Sequence, residues 1–183
     1  MIFLIVVLFL TLLLLGGYVA FVIECFLNRR PDRIIYHGSD LTEQGRLLSK
    51  IMKKYVPDTS TYFFIEPGAG LGKVAEYMGR EFPWKEVIAI EIGPVILFLA
   101  RLRAWLRRSQ VQFIREDIFT FTFPQPAVVY CYLTTPLLDK LYAQQKLQGR
   151  LVISLTFPLS VVEPTETISV KGWQKQILVY DLR

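Results

Sequence analysis

Hydrophobic positions along this chain follow two different periods, preceded by a stretch with no period at all. Residues 1–27 are apolar except for Thr11, Gly16, Gly17 and Glu24, and no charge interrupts Met1–Ile23. About 20 apolar residues, each rising 1.5 Å in a helix, suffice to cross a bilayer. The run is longer than the roughly 7–15 apolar residues of a cleaved signal peptide; it has no basic start and no small-x-small site succeeds it. Asn28-Arg29-Arg30-Pro31-Asp32-Arg33 comes next, and the positive-inside rule places the remainder of the chain on the cytoplasmic side, or its organellar equivalent. The expected organisation is a transmembrane anchor over 1–27, a basic juxtamembrane linker over 28–38 and a domain over 39–183, making a single-pass membrane protein. Glu24 is read as an interfacial residue of the anchor.

Beyond the linker, helical and strand periods alternate. Asp40-Leu41-Thr42-Glu43 has the form of a capping box, and Leu47, Leu48, Ile51, Met52 and Tyr55 share one face of the helix it opens, which Pro57 ends. Tyr62–Ile65 reads as a strand and leads into a glycine-rich turn. Leu71, Val74, Ala75 and Met78 carry a helix to Phe82, where Pro83 stops it. Val87–Ile90 is a second strand, and Pro94 opens a long helix to Arg108. Val111–Ile114, Ala127–Tyr132 and Arg150–Thr156 are three further strands, with a helix over Pro136–Leu147 before the last. Thr167–Val170 and Gln176–Tyr180 flank Gly172 as an antiparallel hairpin. The expected fold class is α/β: a Rossmann-like, mainly parallel seven-strand sheet with a C-terminal antiparallel hairpin, preceded by one transmembrane helix.

Composition narrows the chemistry. The 183 residues are 52 % hydrophobic, and much of that excess lies in the first 27. Net charge is +5, which suits an anionic ligand or membrane surface and falls short of a dedicated nucleic-acid binder. Cys25 and Cys131 stand far apart, so no disulfide framework or CxxC zinc site is available, and no metal is expected. His37 is the single histidine, which excludes a Ser-His-Asp triad or a multi-histidine metal centre; it is read as a loop residue.

The chemistry concentrates in Glu66-Pro67-Gly68-Ala69-Gly70-Leu71-Gly72, between the first domain strand and the next helix. Gly68, Gly70 and Gly72 permit a tight turn and close approach of backbone N–H groups to a ligand, at a helix N-terminus that favours negative charge. The spacing is GxGxG, since Lys73 comes directly after the third glycine; it differs from the GxGxxG of dinucleotide-binding folds. Glu91 ends the second strand, where an acid accepts hydrogen bonds from ribose hydroxyls. Asp117 lies just past the third strand.

An acid before GxGxG, then an acid after the second strand, resembles the seven-strand S-adenosylmethionine-dependent methyltransferases. More narrowly, the chain resembles the membrane-anchored methyltransferases acting on lysines of the ATP synthase c-subunit and the adenine nucleotide translocase, with their prokaryotic relatives. The similar stretches are Phe64–Gly72, Arg101-Leu102-Arg103-Ala104-Trp105, Val128–Leu133 with Pro136, and Arg150–Ser154 with Phe157-Pro158. The resemblance implies S-adenosylmethionine as cofactor, held by Glu66, Gly68, Gly70, Gly72, Glu91 and Asp117, with Asp117 near the adenine. It places the segment carrying Tyr132 and Thr134 beside the transferred methyl. Tyr132 could present its ring or hydroxyl to a sulfonium or an amine, or be a core or edge aromatic. Tyr130 and Tyr132 are expected to face opposite ways unless one sits at the strand end. Two departures stand out: Glu66 occupies a position where aspartate is usual, and Thr134-Thr135-Pro136 replaces a hydrophobic residue before the proline. The Asn/Asp-Pro-Pro-Tyr motif of many amino-methylating enzymes is absent.

The leading expectation is therefore a membrane-anchored methyltransferase for a lysine nitrogen of an integral membrane protein. A lipid or small-molecule acceptor, and a non-catalytic nucleoside-binding module, are the alternatives. No nucleic-acid partner is expected, because no aromatic-basic motif accompanies the arginines of the third domain helix. Those arginines, Arg101, Arg103, Arg107 and Arg108, are read as a solvated face, with anionic lipid headgroups as the sharper alternative. Among carboxylates, Glu66, Asp117 and Asp139 lie near the motifs, and none makes a convincing general base.

Overall fold

The structure is a computed structural model that describes residues 2–27, 41–170 and 175–183, with side chains at 2–5, 8, 20–27, 41–43 and 175 outside the description. The linker over 28–38 with His37, the cap residue Asp40 and the hairpin turn at Gly172 fall outside the described residues, as do the side chains of the rest of the capping box, Glu24 and Cys25.

Helix α1 spans Ile2–Leu27, 26 residues. Among the described residues no helix is long and apolar enough to cross a membrane. The segment expected to cross the membrane is helical over Ile2–Leu27.

In the domain, α2 (Leu41–Tyr55) precedes β1 (Phe63–Pro67), α3 (Lys73–Glu81), β2 (Glu86–Ile90), α4 (Pro94–Leu106) and β3 (Gln112–Ile114). Then come β4 (Ala127–Cys131), α5 (Thr135–Ala143), β5 (Leu151–Leu155), β6 (Glu166–Val170) and β7 (Lys175–Asp181). The seven strands form one sheet in the order β3-β2-β1-β4-β5-β7-β6. Strands β1 to β5 pair in parallel, and β7 runs antiparallel between β5 and β6. The α/β expectation of a mainly parallel seven-strand sheet closed by an antiparallel hairpin matches this architecture.

Both faces of the sheet are covered, so the central strands are apolar on both sides. Strand alternation divides the core in two. Phe64, Val128, Tyr130, Leu151 and Ile153 point to the layer holding α2 and α3, with Leu48, Ile51, Met52, Val74 and Met78. Ile65, Val129, Cys131 and Val152 point to the layer holding α5, with Leu138, Leu141 and Leu147.

Differences from the expected elements lie at their ends. The helix expected over Pro136–Leu147 stops at Ala143 because Gln145 adopts φ 58° and folds Leu147 into the core. The long helix expected to Arg108 stops at Leu106, with Arg108 at φ 52° just beyond it.

The strand order reverses between β1 and β4: the chain builds outward to β3 on one side, then returns to continue through β4 on the other. In doubly wound sheets such a switch point opens a crevice at the carboxyl ends of the strands. Gly68, Glu91, Asp117 and Tyr132 all lie just beyond those ends.

Leu138 has no exposed surface, and its truncation leaves a void under β4 and β5. Leu138→Ala is expected to lower unfolding free energy by about 2–5 kcal/mol, read as a shifted urea midpoint with unchanged slope.

Candidate functional site

The turn after β1 is held by geometry that only glycine adopts without strain. Gly68, Gly70 and Gly72 have φ of 70°, 57° and 64°, all left-handed. A Cβ on Gly72 would lie 2.4 Å from Phe113 Cε1, so the β3 ring presses directly onto the turn. The Ala69 N–H donates to the Ile90 carbonyl at 2.9 Å, fastening the loop to the end of β2.

Glu91 is the second fastening. Its Oε2 accepts the Gly70 N–H at 3.0 Å, and its Oε1 accepts the Gly93 N–H at 2.8 Å. The carboxylate is thus fixed between the glycine loop and the start of α4, and each oxygen keeps lone-pair capacity for a ligand. Asp117 lies in the turn after β3. Its Oδ1 accepts the Phe119 N–H at 3.0 Å and its carbonyl accepts the N–H groups of Thr120 and Phe121.

These elements border a cleft of about 170 Å³. Gly68, Glu91, Asp117, Tyr132 and Thr134 line it together. Glu66, Gly70 and Gly72 do not, and act from behind the wall. Glu66 is buried beneath α3, where its Oε2 accepts the Ala75 N–H at 2.7 Å. Burial pushes its pKa up to about 8, partly offset by that hydrogen bond. Its carboxyl sits under the first turn of α3, held there by that hydrogen bond. Asp139 is also elsewhere, accepting the Ser160 N–H at 2.9 Å and the Ser160 hydroxyl at 2.5 Å.

Tyr132 falls just past the end of β4, and its ring meets Phe157 at a 6.0 Å centroid distance. Both Tyr130 and Tyr132 pack on the α2–α3 layer, which corrects the expectation of opposite faces: residues two apart in a strand share a side. Tyr130 is fully buried, and its hydroxyl accepts a hydrogen bond from Gln44 Nε2. Thr134 is the N-cap residue of α5, and its carbonyl accepts the Leu137 and Leu138 N–H groups. Cys131 is a buried core thiol whose pKa burial raises.

Sequence reasoning missed the walls. Ile92, Ile118 and Phe119 flank the two acids, and Glu116 adds a third. Their signal was position alone, immediately beside Glu91 and Asp117. The arginines of α4 also divide differently from a uniform solvated face. Arg103 reaches Glu76 of α3 at 3.1 Å and the Leu71 carbonyl at 3.3 Å, tying α4 to the glycine turn. Arg101 donates to the Phe113 carbonyl at 2.8 Å.

The lining carries three acids and no lysine or arginine. Such a cleft repels phosphates and favours a hydroxyl-rich or cationic ligand between apolar walls. S-adenosylmethionine, a nucleoside with a sulfonium and no phosphate, fits this donor set.

Gly72→Ala is expected to destabilise the fold by about 1–2 kcal/mol from its left-handed backbone alone, and further through displacement of Phe113. Thermal unfolding measures it. Folding raises the Glu66 pKa from 4.5 to about 8, so the folded state holds an extra proton between those values. Stability falls as pH rises through that window. Glu66→Gln is expected to flatten this slope in denaturant titrations run across the same pH range.

No protein-family model matches the sequence. No curated protein matches it either. Solved structures do. An RNA methyltransferase from Salinibacter ruber, in complex with S-adenosyl-L-homocysteine, superposes with a TM-score of 0.66 at 19 % identity, covering 80 % of this chain and 94 % of that one. Magnesium protoporphyrin IX methyltransferase from Synechocystis PCC 6803, with bound SAM, gives 0.57 at 13 % identity over 88 % and 97 %. An rRNA methyltransferase from Streptomyces viridochromogenes gives 0.55 at 12 % identity over 79 % and 86 %. At these identities the likeness concerns the fold: this chain has the Rossmann-like fold of these methyltransferases, with its acidic cleft at the switch point of the sheet.

Proposed function

We propose that this protein is a membrane-anchored, S-adenosylmethionine-dependent methyltransferase acting on a lysine nitrogen of a membrane protein. The observation that carries the cofactor reading is Glu91, fixed by the Gly70 and Gly93 N–H groups beside an acidic, phosphate-averse cleft. In this reading Glu91 receives the ribose hydroxyls, Asp117 lies toward the adenine, and Ile92 and Ile118 form its apolar walls. Gly68 lets the backbone come close to the amino-acid end.

When bound, S-adenosylmethionine supplies a methyl group already activated on a sulfonium. What remains for the protein is to orient the acceptor and exclude water. Tyr132 and Thr134, past the end of β4, border the side where an acceptor enters. Tyr132 offers a ring face to a cationic centre. A lysine must shed its proton before attack, and a buried neutral Glu66 and a hydroxyl-bound Asp139 are poor bases for it. Proton loss to solvent at the open side of the cleft meets the need.

Lysine as acceptor and the membrane setting are supported by the resemblance over Phe64–Gly72, Arg101–Trp105, Val128–Leu133 and Arg150–Ser154, and by the apolar run at the N-terminus. Residues 1–27 anchor the chain, and the domain sits on the cytoplasmic side or its organellar equivalent. Tethering raises the effective concentration of membrane-embedded acceptors.

Glu91→Ala removes charged hydrogen-bond acceptors, so calorimetry is expected to show S-adenosylmethionine binding weakened about 10- to 100-fold. Unchanged affinity would overturn the cofactor reading. Incubating the full chain with isolated membranes and radiolabelled cofactor is expected to label protein, in acid-stable methyl-lysine. Label in extracted lipid would instead make the acceptor a lipid, and binding without any transfer would make the chain a non-catalytic nucleoside-binding module.

A further inference from the structure

Helix α4 is apolar on two opposite faces, and the protein covers only one. Leu97, Ala100 and Ala104 are buried against the domain. At about 3.6 residues per turn, Phe98, Leu99, Leu102, Trp105 and Leu106 project from the opposite side. They are 65 %, 43 %, 42 %, 75 % and 68 % exposed. A helix hydrophobic all round ordinarily lies in a core, and a contiguous exposed apolar stripe marks a surface that meets something else.

Two observations identify what it meets. First, the stripe has arginines on both borders: Arg101 and Arg108 along one, Arg103 and Arg107 along the other. Arg103 is engaged with Glu76, and Arg101 gives one N–H to the Phe113 carbonyl. Arg107, though 3.9 Å from the same Glu76 carboxylate, is exposed at the C-terminal end with Arg108, beside Trp105 and Leu106. An apolar stripe carrying tryptophan and edged with arginine on both sides is the pattern of a helix lying in the headgroup region of an anionic bilayer. Second, α1 packs beside α4. The described side chains of α1 include Phe9, Leu12, Leu14 and Tyr18, all exposed, so the stripe adjoins a second uncovered apolar surface.

We propose that α4 is a second membrane-contact element, which lies in the interface of an anionic bilayer with Phe98, Leu102, Trp105 and Leu106 in the acyl boundary and Arg101, Arg107 and Arg108 at the phosphates. This rests on the reading of residues 1–27 as an anchor and adds an orientation to it. A single anchor leaves the domain free to swivel; a second contact fixes which side of the sheet faces the lipid. Because Gly93 precedes α4 and donates to Glu91, the element that touches lipid is also the one that starts at the cleft.

The test uses the full chain in phosphatidylcholine vesicles with and without phosphatidylglycerol, their acyl chains brominated near the headgroup end. Bromine quenches tryptophan on contact, and the chain has three tryptophans. Trp84 is packed on Phe64 and bonded to the Met78 carbonyl, inside the domain. Trp105→Phe is expected to reduce the bromolipid-quenched emission roughly twofold or more, with the larger effect in vesicles containing phosphatidylglycerol. Circular dichroism should not change, because the Trp105 side chain is exposed. Equal quenching in the native and Trp105→Phe chains would overturn the proposal, as would quenching indifferent to anionic lipid. Crosslinks joining α4 of two chains would overturn it too, assigning the face to a second copy. Release by alkaline carbonate would refute the anchor by a separate readout, leaving Trp105 quenching to report on α4.

Discussion

The site depends on one clamp: the Glu91 carboxylate held between the N–H groups of Gly70 and Gly93. It joins the turn after β1 to the start of α4 and pins both to the end of β2. The turn can come that close because its three glycines are left-handed and Phe113 occupies the space a side chain would need. Charge is what makes the clamp durable, since hydrogen bonds to an ionised acceptor are about twice as strong as neutral ones. The same carboxylate then presents the rest of its acceptor capacity to the cleft. In the proposed cofactor reading, structural fastening and ligand recognition are carried by one side chain.

Around that clamp the protein separates two kinds of acid. Glu66 is buried under α3, where it accepts the Ala75 N–H and burial raises its pKa. Glu91, Glu116 and Asp117 line the cleft and give it a field that excludes phosphate. Glu76 is a third case, buried between α3 and α4 and matched by Arg103. That bridge brings the glycine turn and α4 into one rigid unit through the Leu71 carbonyl. Arg107 approaches the Glu76 carboxylate at 3.9 Å from its exposed position, while Arg103 turns inward.

The layout gives α4 two duties at opposite faces. Its inner face packs on the domain and its N-terminus starts beside Glu91, while its outer face is an uncovered apolar stripe beside α1. In the proposed membrane setting, a domain held by the anchor alone would sample many orientations, whereas contact through α4 as well would present its cleft at a defined height above the bilayer. For the proposed acceptor in the same membrane, such positioning would reduce the search to two dimensions.

Much of this was legible in the residues alone. The alternation of helical and strand periods, with apolar central strands, specified a parallel sheet with both faces covered, because those periodicities have few other solutions. The GxGxG turn and Glu91 could be located because left-handed backbone demands glycine and strand ends carry ligand contacts. Other features required chain segments distant in sequence to meet. Glu66 and Glu91 look equivalent as letters, yet one is buried to neutrality and the other faces the cleft, a distinction of a few ångströms of depth. Tyr132 and Phe157 are partners only because the link after β5 folds back. Ile92, Ile118 and Phe119 became walls once β2 and β3 lay side by side. Helix α4 shows the limit most plainly: its sequence is apolar on two opposite sides, and burial against the domain decided which would be core and which would remain outside. Local pattern determines what each segment becomes, while the meeting of segments sets depth, partner and exposure, and those decide the chemistry.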